Sequence, residues 1–259
     1  HFFDNPGGLA VVWAEENSRD AVFEALRRRE TYATSGTRPI VRFFGGGEIA
    51  ENLCQNPEMV DAAYQQGVPM GGEVAGNTSP RFLVSAQKDV GVPAFPGTDL
   101  QRIQIIKGWI DAQGQTHERV FDVAGDPDNG AAVDPQTCAS IGEGYSSLCT
   151  VWRDPESVPG QSAFYYARVL ENPRCRWSTL QCQAAGVNPF SDSCVVQAEA
   201  ATHRAHERGA EGDVYGKCCI AEDDMPFYSP TIQERAWTSP IWYSHEALVQ
   251  AASSEDSHD

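Results

Sequence analysis

The sequence predicts a mainly β protein of the α+β class: a strand–helix–strand unit, then an antiparallel β-sandwich with helical and disulfide-rich insertions. Three observations predict it. Leu9–Trp13 is a continuous apolar run that leads into a helical pattern and then a β-prone stretch. After Gly36, short strand-like runs recur with turn residues between them, the spacing of a hairpin-linked sandwich. All of the eight cysteines except Cys54 fall in the second half, mostly beside Pro, Gly, Ser and Asp.

Leu9–Trp13 has the pattern of a strand buried on both faces. Asn17 or Ser18 supplies an N-cap oxygen for a helix starting near Arg19. Val22, Ala25, Leu26 and Arg29 repeat at helical spacing, with Asp20 in the first turn and Arg27–Arg29 in the last, the charge order that suits the helix dipole. Thr31–Ser35 is β-prone, and Gly36 closes the unit. Pro39–Phe44 is the next strand. Asn56-Pro57 opens a second helix with the stripe Met59, Val60, Ala63 and Tyr64, ended by Gly67. Phe82–Ala86 is a strand. Gln101–Ile110 and His117–Ala124 flank the turn Asp111–Gln115 and form a hairpin, with Gly114 free to take positive φ. Asp126–Gly144 reads as a loop.

Leu148–Trp152 and Ala163–Leu170 are strong strands, the second alternating Phe164, Tyr166 and Arg168 against Tyr165, Ala167 and Val169. Asp192 or Ser193 caps a third helix that runs to Gly209. The chain from there to Pro230 is irregular and cysteine-bearing. Ile232–Tyr243 returns to strand, and Pro240 confines it to a sheet edge or bulge. Ser253–Asp259 is expected to be a disordered acidic tail.

The 259 residues suffice for one large or two small domains. Net charge is −17 with only Lys88, Lys107 and Lys217 as lysines, a balance that repels phosphate backbones and excludes nucleic-acid binding. No apolar run approaches the ~20 residues of a membrane span. His1-Phe2-Phe3-Asp4 reads as the start of a processed or truncated chain. The cysteines lack the paired spacing of structural zinc sites, so disulfides in an oxidising compartment are expected. The pairs expected from spacing are Cys175–Cys182 and Cys138–Cys149, with Cys194 joined to Cys218 or Cys219.

Glu15 and Glu16 are the candidate catalytic carboxylates, because they follow the carboxyl end of a strand, where α/β folds carry chemistry. Glu16 is expected to face the cleft. Arg19 is the candidate anion ligand beside them. Arg29, Tyr32 and Arg38 form a second polar set, with Arg29 and Tyr32 as candidate substrate contacts. His203 and His206 share a helix face with Glu199 and Glu207, but two ligands do not make a site and a solvated helix is expected. The tryptophans and tyrosines of the strands are expected to pack the core. Asn77-Thr78-Ser79 fits a glycosylation sequon.

The run NPGGL…VWAEENSRDAVFEALRRRETYATSGTR resembles the last barrel segment of a bacterial hydrolase-like family, domain of unknown function three-six-zero-four. Members of that family resemble the PHP (polymerase and histidinol phosphatase) metal-dependent phosphoesterases. VRFFGG at 41–46, GVPMGGEV at 67–74, PRFLVSAQKD at 80–89, LQRIQIIKGWID at 100–111 and IQERAWTSPIWY at 232–243 carry the resemblance across nearly the whole chain. It implies a division into a terminal PHP-like barrel segment over residues 1–38, a sandwich-like domain over 39–252 and the tail 253–259. It also implies a periplasmic or extracellular hydrolase that cleaves a small anionic ester with water activated on a divalent metal cluster.

The family's paired-histidine motifs are expected before the segment that opens this chain, since no Asp-x-His-x-His or Ser-Asp-x-His motif occurs here. The 259 residues are therefore expected to hold no catalytic metal and to be inert alone, with the amino-terminal barrel portion as their partner. The alternative is a non-catalytic β-sandwich that binds or supports a partner.

Overall fold

The computed structural model describes residues 7–76, 78–93, 95–158, 160–220, 225 and 228–245; the acidic tail and Asn77 lie outside them. The chain runs through β1 (Leu9–Val12), α1 (Arg19–Arg27), β2 (Thr31–Thr34), β3 (Ile40–Gly46), α2 (Met59–Gln66), β4 (Val68–Pro69), β5 (Glu73–Gly76) and β6 (Arg81–Gln87). The next elements are β7 (Gly91–Val92), β8 (Phe95–Pro96), β9 (Leu100–Ile110), β10 (Thr116–Gly125), β11 (Ala132–Val133), β12 (Ser140–Ile141) and β13 (Ser147–Arg153). Then follow β14 (Ala163–Glu171), β15 (Arg174–Cys175), α3 (Trp177–Ala184), α4 (Cys194–His206), β16 (Thr231–Ile232), β17 (Arg235–Thr238) and β18 (Ile241–His245). Two compact units result. One gathers Gly8–Pro127, Gly144–Glu171 and the chain from Arg235; the other gathers Asp128–Glu143 and Asn172–Glu234.

The first unit is built on two sheets. In the larger one, β10 pairs β9, β9 pairs β14, and the far edge of β14 is shared by β17 and β18. Those two are one strand broken at Ser239-Pro240; the proline interrupts the ladder as expected, but neither half is a sheet edge, since each lies between β14 and a further strand. β17 continues antiparallel to β2, and β18 continues parallel to β5. The smaller sheet runs β13–β6–β3–β4, antiparallel throughout.

Alternation along the strands makes one core of the two inner faces. Val41, Phe43, Phe82 and Val84 of the smaller sheet cluster with Ile103, Ile105, Tyr165, Ala167 and Ile241 of the larger. Phe44 and Leu83 point the other way and pack with Leu53 and Ala63 near α2, where Cys54–Cys149 fastens the turn before α2 to β13. One polar cluster lies inside this apolar frame. Lys107 of β9 donates to Asp154 at 2.7 Å and to the Glu156 carbonyl at 2.9 Å, and the Tyr165 hydroxyl donates to Asp154 at 2.7 Å. Burial and the Asp154 charge push the Tyr165 hydroxyl far above its ordinary range.

The amino-terminal unit differs from expectation. β1 is an antiparallel strand on the edge of the larger sheet, paired with β2 alone among the described strands, with Leu9 and Ala10 exposed. An apolar run can mark an edge strand as well as a doubly covered one, because length and hydrophobicity do not encode the number of neighbours. α2 starts at Met59, two residues after Pro57.

The second unit is held by short elements and cross-links. β11 pairs β12, β15 pairs β16, and α3 and α4 pack through Cys182, Val187, Cys194, Ala198 and Cys218. The stretch between the strand expected to end at Leu170 and the helix expected from Asp192, where no element was expected, holds a further helix, α3. All eight cysteines are paired, as Cys54–Cys149, Cys138–Cys175, Cys182–Cys218 and Cys194–Cys219. The Cys194 partner is one of the two expected. The expected Cys175–Cys182 and Cys138–Cys149 bonds do not form: β15 carries Cys175 to Cys138, while α3 turns Cys182 into the helical core toward Cys218. Proximity in the fold overrides proximity in sequence.

Candidate functional site

The site is assembled around the carboxyl end of α1. The Ser18 hydroxyl accepts from the Ala21 amide at 3.2 Å and starts the helix. At the other end Arg29 N–H donates to Leu26 O at 3.0 Å and Glu30 N–H to Ala25 O at 3.1 Å, the two closing bonds of a Schellman cap. That cap needs a left-handed residue, and Arg29 supplies it at φ 60°. Its side chain is tied down in return. The Nε donates to Gly71 O at 3.0 Å, Nη2 meets Glu73 at 3.4 Å, and the guanidinium lies 4.9 Å from the Trp242 ring centre. Gly71 is itself at φ 87°, and a Cβ there would stand 2.3 Å from Arg29 O. The reversal turns Glu30 inward.

Glu30 forms the floor of a cavity of about 700 Å³ that opens beyond the carboxyl end of β1, with Trp13, Glu15, Arg28, Arg42 and Tyr64 on its walls. The residue is 4% exposed, and its carboxylate accepts from the Tyr64 hydroxyl. Arg28 approaches it at 3.6 Å and Arg42 at 3.9 Å, ion-pair distances longer than charge-assisted hydrogen bonds. Arg42 also stacks 3.3 Å from the centre of the Trp13 ring and donates to Tyr64 at 3.3 Å, while Trp13 Nε1 donates to Val41 O at 3.0 Å. Burial, then the bond to Glu30 and its charge, push Tyr64 up to about 12 against the opposing pull of Arg42. Tyr64 is therefore a neutral donor near neutral pH. Two guanidinium groups facing one cavity can donate to the oxygens of an anion, and Glu30 holds both in place.

Of the expected residues, Glu15 is exposed and lines this cavity, whereas Glu16 is exposed and does not, the reverse of the expected orientation. Trp13, Ala14 and Glu15 all line the cavity, and the bend that starts at Glu15 carries Glu16 out of the lining. Arg19 is exposed on the first turn of α1, outside the lining. Arg29 is committed to the cap contacts above. Tyr32 is buried and donates to Pro39 O at 2.9 Å, with burial raising its pKa. The Arg38 backbone amide donates to Asp89 at 2.9 Å.

In the second unit His203 pairs with Glu207 at 3.6 Å, and His206 meets Gly212 O at 2.7 Å. Among the described residues no group of three or more His, Cys, Asp or Glu is arranged to hold a metal ion. Sequence reasoning passed over Glu30, Arg28, Arg42 and Tyr64. A signal existed for Arg42, a lone charge inside the apolar strand Val41–Phe44. None existed for Glu30, which a left-handed turn brings inward.

No curated protein and no solved structure matches the chain. A family profile does, over residues 1–206. That span contains the whole cavity, its α1 cap and the two core sheets up to β14, and it includes most of the chain. The chain therefore belongs to the family described as protein of unknown function (DUF3604).

Proposed function

We propose that this chain is the carboxyl-terminal portion of a secreted, metal-dependent hydrolase of phosphoesterase type, and that the Glu15–Arg42 cavity forms one wall of its substrate site. The observation that carries the reading is an open face beside that cavity. Among the described residues β1 pairs with β2 alone, which leaves its other side as a sheet edge, and Leu9, Phe23 and Leu26 of β1 and α1 are 36%, 57% and 52% exposed. An edge strand next to exposed apolar side chains is a surface that another part of the same protein covers, since left open it invites aggregation. The expected barrel portion would dock there and bring its metal ligands to the rim where Glu15 stands. Four disulfides support a compartment outside the cytosol.

In this reading Arg28 and Arg42 bind the anionic ester, Tyr64 keeps its donation to Glu30 while accepting from Arg42 and so holds that guanidinium in position, and Glu15 orients the attacking water. Metal chemistry supplies the activated water and comes from the docked portion. The full-length protein tests it with p-nitrophenyl phosphate and bis(p-nitrophenyl) phosphate. Turnover should require a divalent cation. Arg42→Ala should raise KM at least tenfold with kcat nearly unchanged, and Glu15→Gln should lower kcat by ~10²–10⁴. The reading fails if chelation leaves turnover intact, or if both variants behave as wild type.

A further inference from the structure

A second cavity, of about 880 Å³, shares no lining residue with the first. It lies over the end of the larger sheet, where β9, β10, β14 and β18 meet. The register places Trp242 of β18, Phe164 of β14, Gly108 of β9 and Glu118 of β10 in one row across the four strands. Neighbours of Phe164 on its own strand, Ala163 and Tyr165, point into the core, so this row is on the outer face. Phe164 is 40% exposed, Trp242 36% and Ile110 63%.

The conformation of Phe164 is specific. Its ring tip sits over Gly108, where any Cβ would come within 2.2 Å of Cζ. Glycine at that position lets the ring lean across onto the neighbouring strand and lie along the sheet instead of standing up from it. Trp242, one strand away, is held by the Arg29 guanidinium 4.9 Å from its ring centre. Phe164 and Trp242 are directly paired across β14 and β18, so the row sets two aromatic side chains on adjacent strands of one face. Hydrogen-bonding side chains stand around them. Gln161, Ser162 and Glu118 line the cavity, and Asp111 is fixed by His117 at 2.6 Å.

We propose that this cavity binds a neutral polysaccharide, with Phe164 and Trp242 as a stacking platform and the polar rim addressing hydroxyl groups. The apolar C–H face of a pyranose ring fits a flat aromatic surface, while its equatorial hydroxyls need donors and acceptors at the rim. Charge selects the class of polymer. The rim carries the carboxylates of Asp111 and Glu118; the His117 beside it is paired to Asp111, the Arg29 guanidinium over Trp242 is paired to Glu73, and the chain carries a formal charge of −17. Uronate or sulfated glycans, nucleic acids and anionic lipid surfaces are all repelled.

Native gels of the 259-residue chain test this, each cast with one soluble polysaccharide: mixed-linkage β-glucan, galactomannan, arabinoxylan or amylopectin, with alginate as the anionic control. At least one neutral polymer should retard the chain, and alginate should not. Phe164→Ala and Trp242→Ala should abolish the retardation. Ile110→Ser, a change at a mostly exposed position that does not threaten folding, should weaken it at least threefold, with the melting temperature of each variant recorded alongside. The proposal is overturned if no neutral polymer retards the chain, if alginate retards it as strongly, or if folded Phe164→Ala or Ile110→Ser binds as wild type does.

Discussion

Arg29 was a candidate substrate ligand by its chemistry, and the structure gives it another occupation. It closes α1 in a left-handed conformation that glycine normally fills, and its side chain spans Gly71, Glu73 and Trp242. Two substitutions separate backbone from side chain. Arg29→Ala keeps a Cβ at positive φ and removes the contacts, whereas Arg29→Gly removes the contacts and relieves the backbone. The alanine variant should therefore be less stable than the glycine variant by about 1 kcal/mol, read as a lower urea midpoint. Equal midpoints would mean that the left-handed backbone contributes nothing. This position also explains why the site was hard to read. The carboxylates at the strand end were legible, because their place follows from the order strand, loop, helix. Glu30 was not, because a helix that ends on arginine instead of glycine hides the reversal that turns it inward.

At the scale of elements, the strands were legible wherever period-two alternation met a turn. The β9–β10 hairpin and β14 fall within a residue or two of expectation. Pro240 was legible too, since a residue without an N–H must interrupt the ladder. The place of β1 in the sheet was not legible, because its one described partner, β2, is joined to the rest of the sheet by β17, some two hundred residues further on. The same distance rule governs the bond between sheets. Lys107 on β9 and Asp154 after β13 belong to different strands, and no local pattern joins them. Both are almost wholly buried, so removing the cation leaves an uncompensated carboxylate. Lys107→Met should cost about 3–5 kcal/mol in urea unfolding with the disulfides intact. Replacing the whole cluster, as Lys107→Met with Asp154→Leu and Tyr165→Phe, should cost less than the single change, because no buried charge or hydroxyl is then orphaned. A single variant within about 1 kcal/mol of wild type would show that water reaches Asp154.

At the scale of the whole molecule, the two units owe their stability to different physics. The first has a continuous core shared by two sheets and a single disulfide. In the second, three disulfides replace most of what a core would do: half of the buried cluster between α3 and α4 is cystine sulfur, and the strand pairs are two residues long. The cross-linked positions there are 37, 36 and 25 residues apart, and each bond removes about 3–4 kcal/mol of chain entropy from the unfolded state. With the bonds broken, two short helices and a small apolar cluster cannot offset the entropy of ordering that segment. Graded reduction by a phosphine under native conditions should therefore unfold the second unit first. Amide exchange and trypsin cleavage should rise within Asn172–Glu234 while β3, β6, β9 and β14 stay protected. Loss of protection in both units at the same reductant concentration would mean that the Cys54–Cys149 bond, 95 residues apart, is as decisive for the sheets as the other three are for the helices.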